Sequence, residues 1–422
     1  MAHGHSHVPD DTDPSVLTSP RARAVVWGAL ALVAAVTVAG LVLLWPREQV
    51  SVGLDVGFGE ELVDATVNRV ELVPCSGAGD APAVRCEQIS ARVTSGSPRG
   101  QTATFELFPS ANSPRLDSGD QIVLSHSPQA PPELAYQFAD FQRDTPLLWL
   151  GALFVLAVVA LGRWKGVRAL LGVGISLVVI VTFLLPALLL GDPPVLLALV
   201  AASTIAYLAL FLAHGLNERT AVALLGTLVA LALTAGLAVL FVSLTRITGL
   251  ASEEVMLLQA SSDIIDLRGL LLAGIMIGAL GVLDDVTVTQ VAAVWELKLA
   301  DRRFGAWELY RRAINIGRDH IASVVNTLAL AYAGAALPLL LLFTQAQRSF
   351  DEVVTGEAVA MEVVRTLVGS IGLVAAVPIT TGLAALVIAG AVVPDDSPGR
   401  GRGRRDRGRR DPFWGDVDLD GS

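Results

Sequence analysis

Long apolar stretches dominate the sequence. A helix needs about 20 apolar residues to cross the roughly 30 Å hydrocarbon core of a bilayer, and eight stretches approach or exceed that length. They are approximately Ala24–Trp45, Pro146–Leu161, Val167–Leu190, Pro194–Leu212, Thr220–Leu244, Gly269–Trp295, Ile321–Phe343 and Val363–Val393. The first exceeds the apolar part of a secretory signal, about 7–15 residues. We therefore predict an uncleaved anchor and an α-helical polytopic membrane protein with about eight transmembrane helices.

A different pattern follows the first apolar stretch. The segments "ATVNRVEL", "RCEQISARV", "TATFELF" and "DQIVLS" alternate polar and apolar residues and are separated by Gly, Pro and Ser. This period of two is typical of short strands with one buried face. It predicts a small extracytoplasmic all-β domain, a barrel or a sandwich, inserted after the first helix.

Cys75 and Cys86 are the only cysteines of the chain, and both fall in this predicted β domain. In an exported domain such a pair usually forms a disulfide. The alternative is two free thiols in a reducing compartment.

Composition agrees with this organisation. Of the 422 residues, 53% are hydrophobic and only 17% are charged, whereas soluble domains carry about 25% charged residues. A cytosolic enzyme is excluded by these values, and so is disorder over most of the chain. The predicted units are a disordered cytoplasmic tail (1–23), a transmembrane anchor (24–45), the β domain (46–145), a seven-helix transmembrane domain (146–393) and an Arg-rich disordered cytoplasmic tail (394–422).

Basic residues predict the orientation in the membrane. Most of the 30 lysines and arginines fall in segments that share one side if the N-terminus is inside, as the positive-inside rule expects. Both termini are then cytoplasmic and the cysteines outside. The net charge of −10 divides into an acidic exterior and a basic inner rim.

The sixth apolar stretch contains the candidate site. Asp284 and Asp285 interrupt it at membrane depth, either within one long helix or where two half-helices meet. A carboxylate in hydrocarbon is costly, so both arrangements require protein or water around the acids. At helical spacing, Asp285 shares a stripe with small and polar residues, whereas Asp284 points about 100° away. The stripe comprises Gly274, Gly278, Gly281, Asp285, Thr289, Ala292 and Glu296.

Two interpretations of this stripe stay open. In the first, Asp285, Asp284 and Thr289 belong to a substrate- or ion-binding site. In the second, the stripe is a packing seam, since small residues let another helix approach closely. The seventh stretch offers a matching polar face, and the two faces are expected to line one aqueous cavity. Its residues are Asn315, Asp319, Ser323 and Asn326.

Other motifs indicate little chemistry. His3, His5 and His7 favour a disordered tail over a loose metal site. No zinc-hydrolase, nucleophile-elbow or phosphate-loop motif occurs. We therefore predict no enzyme, no cofactor, no resident metal and no nucleic-acid partner. The expected partners are the lipid bilayer and a small solute or ion, and a homo-oligomer is left open.

Four long segments resemble the YibE/F-like family of bacterial multi-pass membrane proteins. They are "HGLNERTAVALLGT", "DLRGLLLAGIMIGALGVLDDVTVTQVAAVWEL", "NIGRDHIASVVNTLALAYAGAALPLLLLF" and "RTLVGSIGLVAAVPITT". The resemblance runs from about residue 50 to 393 and implies a protein of the bacterial cell membrane. It also implies that Asp285 matches the usual intramembrane acid of the family, whereas many members have an apolar residue at the position of Asp284. It implies no substrate and no reaction.

Two functions compete at this point. The first is a permease, coupled to a proton or cation through an intramembrane aspartate. The second is a non-transporting envelope protein whose β domain recognises a partner for binding or signalling.

Overall fold

The computed structural model describes residues 18–47, 61–75, 85–108, 113–131, 134–250, 255–256, 265–345 and 349–391. The histidine cluster of the N-terminal tail, the loop between the two cysteines and the Arg-rich C-terminal tail lie outside the described residues. Predictions about them stay untested.

Five strands form the β domain. They are β1 (Glu61–Pro74), β2 (Arg85–Val93), β3 (Thr102–Leu107), β4 (Gln121–His126) and β5 (Tyr136–Phe141). The sheet is antiparallel with the order β3-β2-β1-β4-β5. The long β1 pairs with β4 through its first half and with β2 through its second half, around a bulge between Val67 and Arg69. Since β3 and β5 also contact each other, the sheet curls into a half-barrel.

Alternating residues of these strands fill the half-barrel. Val63, Ile89, Ile122 and Leu124 are each 0% exposed, as expected for strands with one face toward a core. A disulfide joins Cys75, just after β1, to Cys86 in β2. The predicted all-β domain and its disulfide are confirmed.

The rest of the described chain is almost entirely helical. The helices are α1 (Pro20–Leu43), α2 (Asp144–Val179), a π-helical turn (Ile180–Leu184), α3 (Leu185–Leu189), α4 (Pro194–His214), α5 (Glu218–Leu244), α6 (Leu267–Ala300), α7 (Ala306–Ala335), α8 (Leu337–Gln345), α9 (Phe350–Thr355) and α10 (Glu357–Ala389). Within the described ranges, six helical units are long and apolar enough to cross a membrane, or up to seven if α7 and α8, bent by 57°, form one span. This confirms the apolar, many-helix class of the protein.

One difference from the predicted eight helices arises between residues 144 and 189. The second and third predicted helices form one helical unit of 46 residues there, which if straight would measure about 69 Å, roughly twice the hydrocarbon thickness. The unit is not straight, because the backbone of Arg163 leaves the helical region with φ 48° and ψ −131°. A Cβ atom on Gly166 would lie 2.4 Å from the carbonyl oxygen of Val158, so the chain folds back sharply at this break.

Polar contacts bring several helix ends together at one end of the bundle. Arg23 at the start of α1 pairs with Glu218 at the start of α5 at 3.4 Å. Arg219 pairs with Glu296 near the end of α6 at 3.3 Å. The buried Lys298 donates to the carbonyl of Ala389 at the end of α10 at 3.2 Å, and also to two carbonyls of the loop after α6. The ends of these four helices, which are predicted to be cytoplasmic, therefore lie together.

Helices α5, α6 and α10 form the centre of the bundle. They approach closely where a glycine faces a threonine. A Cβ atom on Gly226 would lie 2.4 Å from the hydroxyl oxygen of Thr380, and one on Gly372 would lie 2.0 Å from that of Thr234. Small residues at contacts are how helices pack tightly in membranes.

Candidate functional site: an acidic cavity beside α6

Asp284 and Asp285 lie on one continuous helix. Helix α6 is capped by Asp266, whose side chain accepts a hydrogen bond from the Gly269 amide at 3.0 Å. It then runs for 34 residues, about 51 Å, through Asp284 and Asp285 without a break. Of the two predicted arrangements, the single long helix is therefore the one found.

A cavity of about 400 Å³ lies beside these acids, between α2 with its π-helical turn, α4 and α6. We call it the acid cavity. Its walls are mostly apolar, and its polar side chains are Ser176, His214, Asp284 and Asp285. The lining residues are Ala169, Gly172, Val173, Ser176, Ile180, Ile205, Ala209, Leu210, Ala213, His214, Ile277, Leu280, Gly281, Asp284, Asp285 and Val288.

The two carboxylates have different surroundings. Asp284 points toward α5, where the Thr227 hydroxyl interacts with its carboxyl group. Its Oδ1 atom is buried and has no hydrogen-bond partner among the residues that the structure describes. Asp285 is exposed, and its backbone carbonyl accepts a hydrogen bond from the Thr289 hydroxyl. The predicted divergence is therefore found: the Asp284 carboxyl group faces α5 inside the bundle, and Asp285 is exposed.

The stripe that contains Asp285 is not a packing seam in the structure. Within the described chain, no atom lies within 4 Å of where a Cβ atom would sit on Gly274 or Gly281. At Gly278 the neighbour is the Tyr332 hydroxyl, at 3.5 Å. The close helix contacts form instead on other helices and other faces, at Gly226, Gly317 and Gly372. Of the two open interpretations, the packing seam is therefore not the one found, because small residues permit a close approach without enforcing one.

Helix α7 does not contribute to the acid cavity. Asn315, Asp319 and Asn326 are exposed and are absent from its lining. Arg318 donates to the side-chain oxygen of Asn315 at 3.1 Å. The inner side of α7 packs instead through Gly317, against Val377 and Gln290. The expected shared cavity of the sixth and seventh spans is therefore replaced by one bounded by α2 and α4, and a ligand role for the α7 residues stays a prediction.

A set of buried polar residues also lies at the junction of α5, α6 and α10. The Thr227 and Thr287 hydroxyl oxygens are 2.7 Å apart, and the Thr381 hydroxyl donates to the Gln290 side chain at 3.0 Å. The hydroxyl of Thr380 is buried without a partner in the described part of the chain. All five side chains are at most 1% exposed. We call them the polar core: Thr227, Thr287, Gln290, Thr380 and Thr381. Sequence reasoning missed them, since uncharged threonines are common in apolar helices and give little signal.

Taken together, these features define a polytopic helical membrane protein with an acidic cavity and a polar core inside its helix bundle. The family model described as YibE/F-like protein matches residues 150–390, which is more than half of the chain. The chain therefore belongs to the YibE/F-like family, as its four resembling segments predict. The match covers the helices that line the acid cavity and leaves out α1 and the β domain, where the expected resemblance began. No curated protein and no solved structure matches the chain.

Proposed function

We propose that this YibE/F-like protein is a permease that moves a small solute or ion through the acid cavity, with a proton or cation bound at the intramembrane aspartates. The observation that carries the proposal is a cavity of about 400 Å³ that contains two carboxylates beside a membrane-type helix. Ionisable groups at membrane depth are costly, and they mark ion and substrate pathways. The protein is proposed to act in transport rather than as an enzyme.

The helices that line the cavity have irregular backbones. Helix α2 is broken at Arg163, and the π-helical turn that follows it contributes Ile180 to the cavity wall. π-helical turns are rare and often occur at functional sites. Pro378 lies within α10, at the centre of the bundle. Such irregular helices are frequent where transporters change conformation around a central site.

We infer a topology of eight spans, in which the helical unit at 144–189 crosses twice by turning at Arg163 and α7 with α8 forms one span. Both termini are then cytoplasmic, in the membrane of a bacterial cell. The gathering of the starts of α1 and α5 with the ends of α6 and α10 supports this topology. Cysteine labelling from each side of intact cells, at Arg163 and at Gln129 of the β domain, tests it. We expect Gln129→Cys to react from outside and Arg163→Cys only after permeabilisation.

Reconstitution into proteoliposomes tests the transport proposal. We expect protein-dependent uptake of protons or of a labelled cation, and a loss of at least tenfold in its rate for Asp285→Asn, since removing a required charged ligand costs more than about 1.4 kcal/mol. The matched control is Glu296→Gln, which removes one negative charge from the same stripe of α6 but lies outside the cavity lining. Equal flux with and without Asp285→Asn would eliminate the proposed role of this acid.

The β domain supports a second candidate, an envelope protein that binds a partner outside the membrane. Its half-barrel exposes several large apolar side chains, among them Leu62, Leu72, Phe108 and Leu134, each at least 57% exposed. Deletion of residues 50–143 separates the two functions. Full flux together with an unchanged cellular phenotype favours the permease, whereas loss of the phenotype with flux intact favours partner recognition.

A further inference from the structure

Two buried polar atoms near the acid cavity lack hydrogen-bond partners among the described residues. They are Oδ1 of Asp284 on α6 and the hydroxyl oxygen of Thr380 on α10. Thr380 is 0% exposed and packs against Gly226, the residue next to Thr227. An unsatisfied buried polar group typically costs about 1–3 kcal/mol. Two such groups where three helices meet therefore require an explanation.

The group around Asp284 contains more hydrogen-bond acceptors than protons. The hydroxyls of Thr227 and Thr287 supply one proton each. The backbone carbonyl of Ala223 lies 3.1 Å from the Thr227 hydroxyl, and that of Asp284 lies 3.1 Å from the Thr287 hydroxyl. The two hydroxyl oxygens are also 2.7 Å from each other, and the Asp284 carboxylate faces Thr227. If the Thr287 hydroxyl donates to Thr227 and the Thr227 hydroxyl donates to the carboxylate, both protons are used, and none is left for Oδ1 of Asp284.

A small cation would resolve this shortage. Carboxylate, hydroxyl and carbonyl oxygens are hard ligands, which suit hard cations rather than soft transition metals. One carboxylate among neutral hydroxyls balances a single positive charge, whereas a buried divalent ion would retain an uncompensated charge. Among the described residues, no group of three or more His, Cys, Asp or Glu side chains is placed to hold a metal ion. The site chemistry therefore matches a monovalent ion.

We propose that Asp284, Thr227 and Thr287 form a sodium-binding site. The carboxylate supplies the charge, and each threonine hydroxyl turns a lone pair toward the ion while its proton bonds a carbonyl of its own helix. Because Asp284 also lines the acid cavity, the ion enters through that cavity. The site links α5 to α6, so ion binding holds these two helices together.

The inference deepens the permease proposal and rests on it for its biological role, since it names the coupling ion and moves its site from Asp285 to Asp284. The test nevertheless uses binding and not transport. A failure to bind Na⁺ is therefore distinguishable from a failure to transport.

The experiment measures equilibrium binding of radiolabelled Na⁺ to the purified full-length protein in detergent. We expect saturable binding that unlabelled Na⁺ displaces and choline does not. Thr227→Val and Thr287→Val keep side-chain shape and remove one hydroxyl each, and we expect each to weaken binding about tenfold, as for one lost ligand. Asp284→Asn is expected to abolish saturable binding.

Thr234→Val is the matched control. Thr234 lies on α5 two turns beyond Thr227, is also 0% exposed, and likewise donates to the carbonyl four residues earlier, at 2.8 Å. We expect it to bind Na⁺ as the unaltered protein does, and size-exclusion chromatography verifies that every variant is folded. The proposal is overturned if the unaltered protein shows no saturable Na⁺ binding, in which case Asp284 holds a proton instead. It is equally overturned if Asp284→Asn retains binding, or if Thr234→Val weakens binding as much as Thr227→Val and Thr287→Val do.

Discussion

The β domain and the helical bundle use the same apolar residue types in opposite places. In the β domain, Val63, Ile89 and Leu124 are 0% exposed and form the core. In the bundle, Leu161 is 92% exposed and Trp149 is 74% exposed, while threonines and a glutamine are buried at the centre. Exposed apolar side chains of the bundle are therefore suited to contact with lipid, whereas exposed side chains of the β domain contact water.

This contrast shows which forces hold each part together. The β domain is stabilised mainly by removal of apolar surface from water. Lipid tails are as apolar as leucine, so that driving force is absent between transmembrane helices, and close packing of small residues and hydrogen bonds between helices take its place. The contacts of Gly226 and Gly372 with threonines and the bond between Thr227 and Thr287 are of this kind.

The largest effect is expected from a charge in the β core. Leu124 is 0% exposed and lies opposite Val63 in the sheet. Leu124→Asp would bury an unpaired carboxylate and should destabilise the domain by about 4 kcal/mol or more, which unfolds a small domain. Pulse proteolysis of the purified protein measures this, with cleavage mapped to residues 61–141. A β domain as resistant as in the unaltered protein would contradict the assigned core.

Replacing an exposed leucine by aspartate should have a small effect in the β domain, where the side chain faces water, and a larger effect in the bundle, where it faces lipid. Leu62 in the β domain is 66% exposed and Leu153 in α2 is 62% exposed. Leu62→Asp should change stability by less than about 0.5 kcal/mol, because its side chain faces water. Leu153→Asp should cost about 3 kcal/mol of membrane insertion, because its side chain faces lipid. A glycosylation-based insertion assay of the helix measures the second value and thermal unfolding the first. Similar effects at the two positions would contradict the placement of α2 in the bilayer.

Strand alternation and helix length depend on neighbours along the sequence and were predictable. Features that depend on packing between distant residues were less predictable. The period-two segments predict four of the strands correctly. They miss β5 (Tyr136–Phe141), which follows a proline-rich stretch and has an acidic residue within it. Apolar length predicts the helices well, but the π-helical turn at Ile180 leaves no mark in the sequence.

The candidate site was predictable only in part for the same reason. Two aspartates in an apolar run are conspicuous, and helical geometry gives their divergence. The packing of α5 and α6 decides which of them faces inward: it buries Oδ1 of Asp284 and leaves Asp285 exposed. The polar face of α7 has a helical period that is compatible with a cavity, yet α2 and α4 occupy the place that the sequence assigns to it.

A smaller effect is expected from a methyl group at a helix contact in the bundle. A Cβ atom on Gly372 would lie 2.0 Å from the Thr234 hydroxyl oxygen, whereas in the described structure nothing lies within 4 Å of one on Gly236. Gly372→Ala should therefore destabilise the bundle by about 1–3 kcal/mol through overpacking. Gly236→Ala should be neutral or slightly stabilising, since alanine favours a helix. Thermal unfolding in detergent compares the two variants, and equal melting temperatures would show that close helix packing is not what stabilises this bundle.

The smallest effect concerns pH at the surface of the β domain. The Ser97 hydroxyl and backbone amide donate to the Glu61 carboxylate at 2.7 and 3.1 Å, and these bonds hold its pKa below the ordinary value of 4.5. A lowered pKa stabilises the folded domain above about pH 4.5, and this contribution is lost as the pH falls toward the folded-state value. Glu61→Gln should therefore flatten the acid side of the stability profile slightly, because it lowers stability slightly at neutral pH and leaves stability below the folded-state pKa unchanged. Denaturant unfolding of the β domain at several pH values, with Glu71→Gln as an exposed control on the same strand, measures it. An unchanged acid limb in Glu61→Gln would show that this bond pair does not stabilise the turn between β2 and β3.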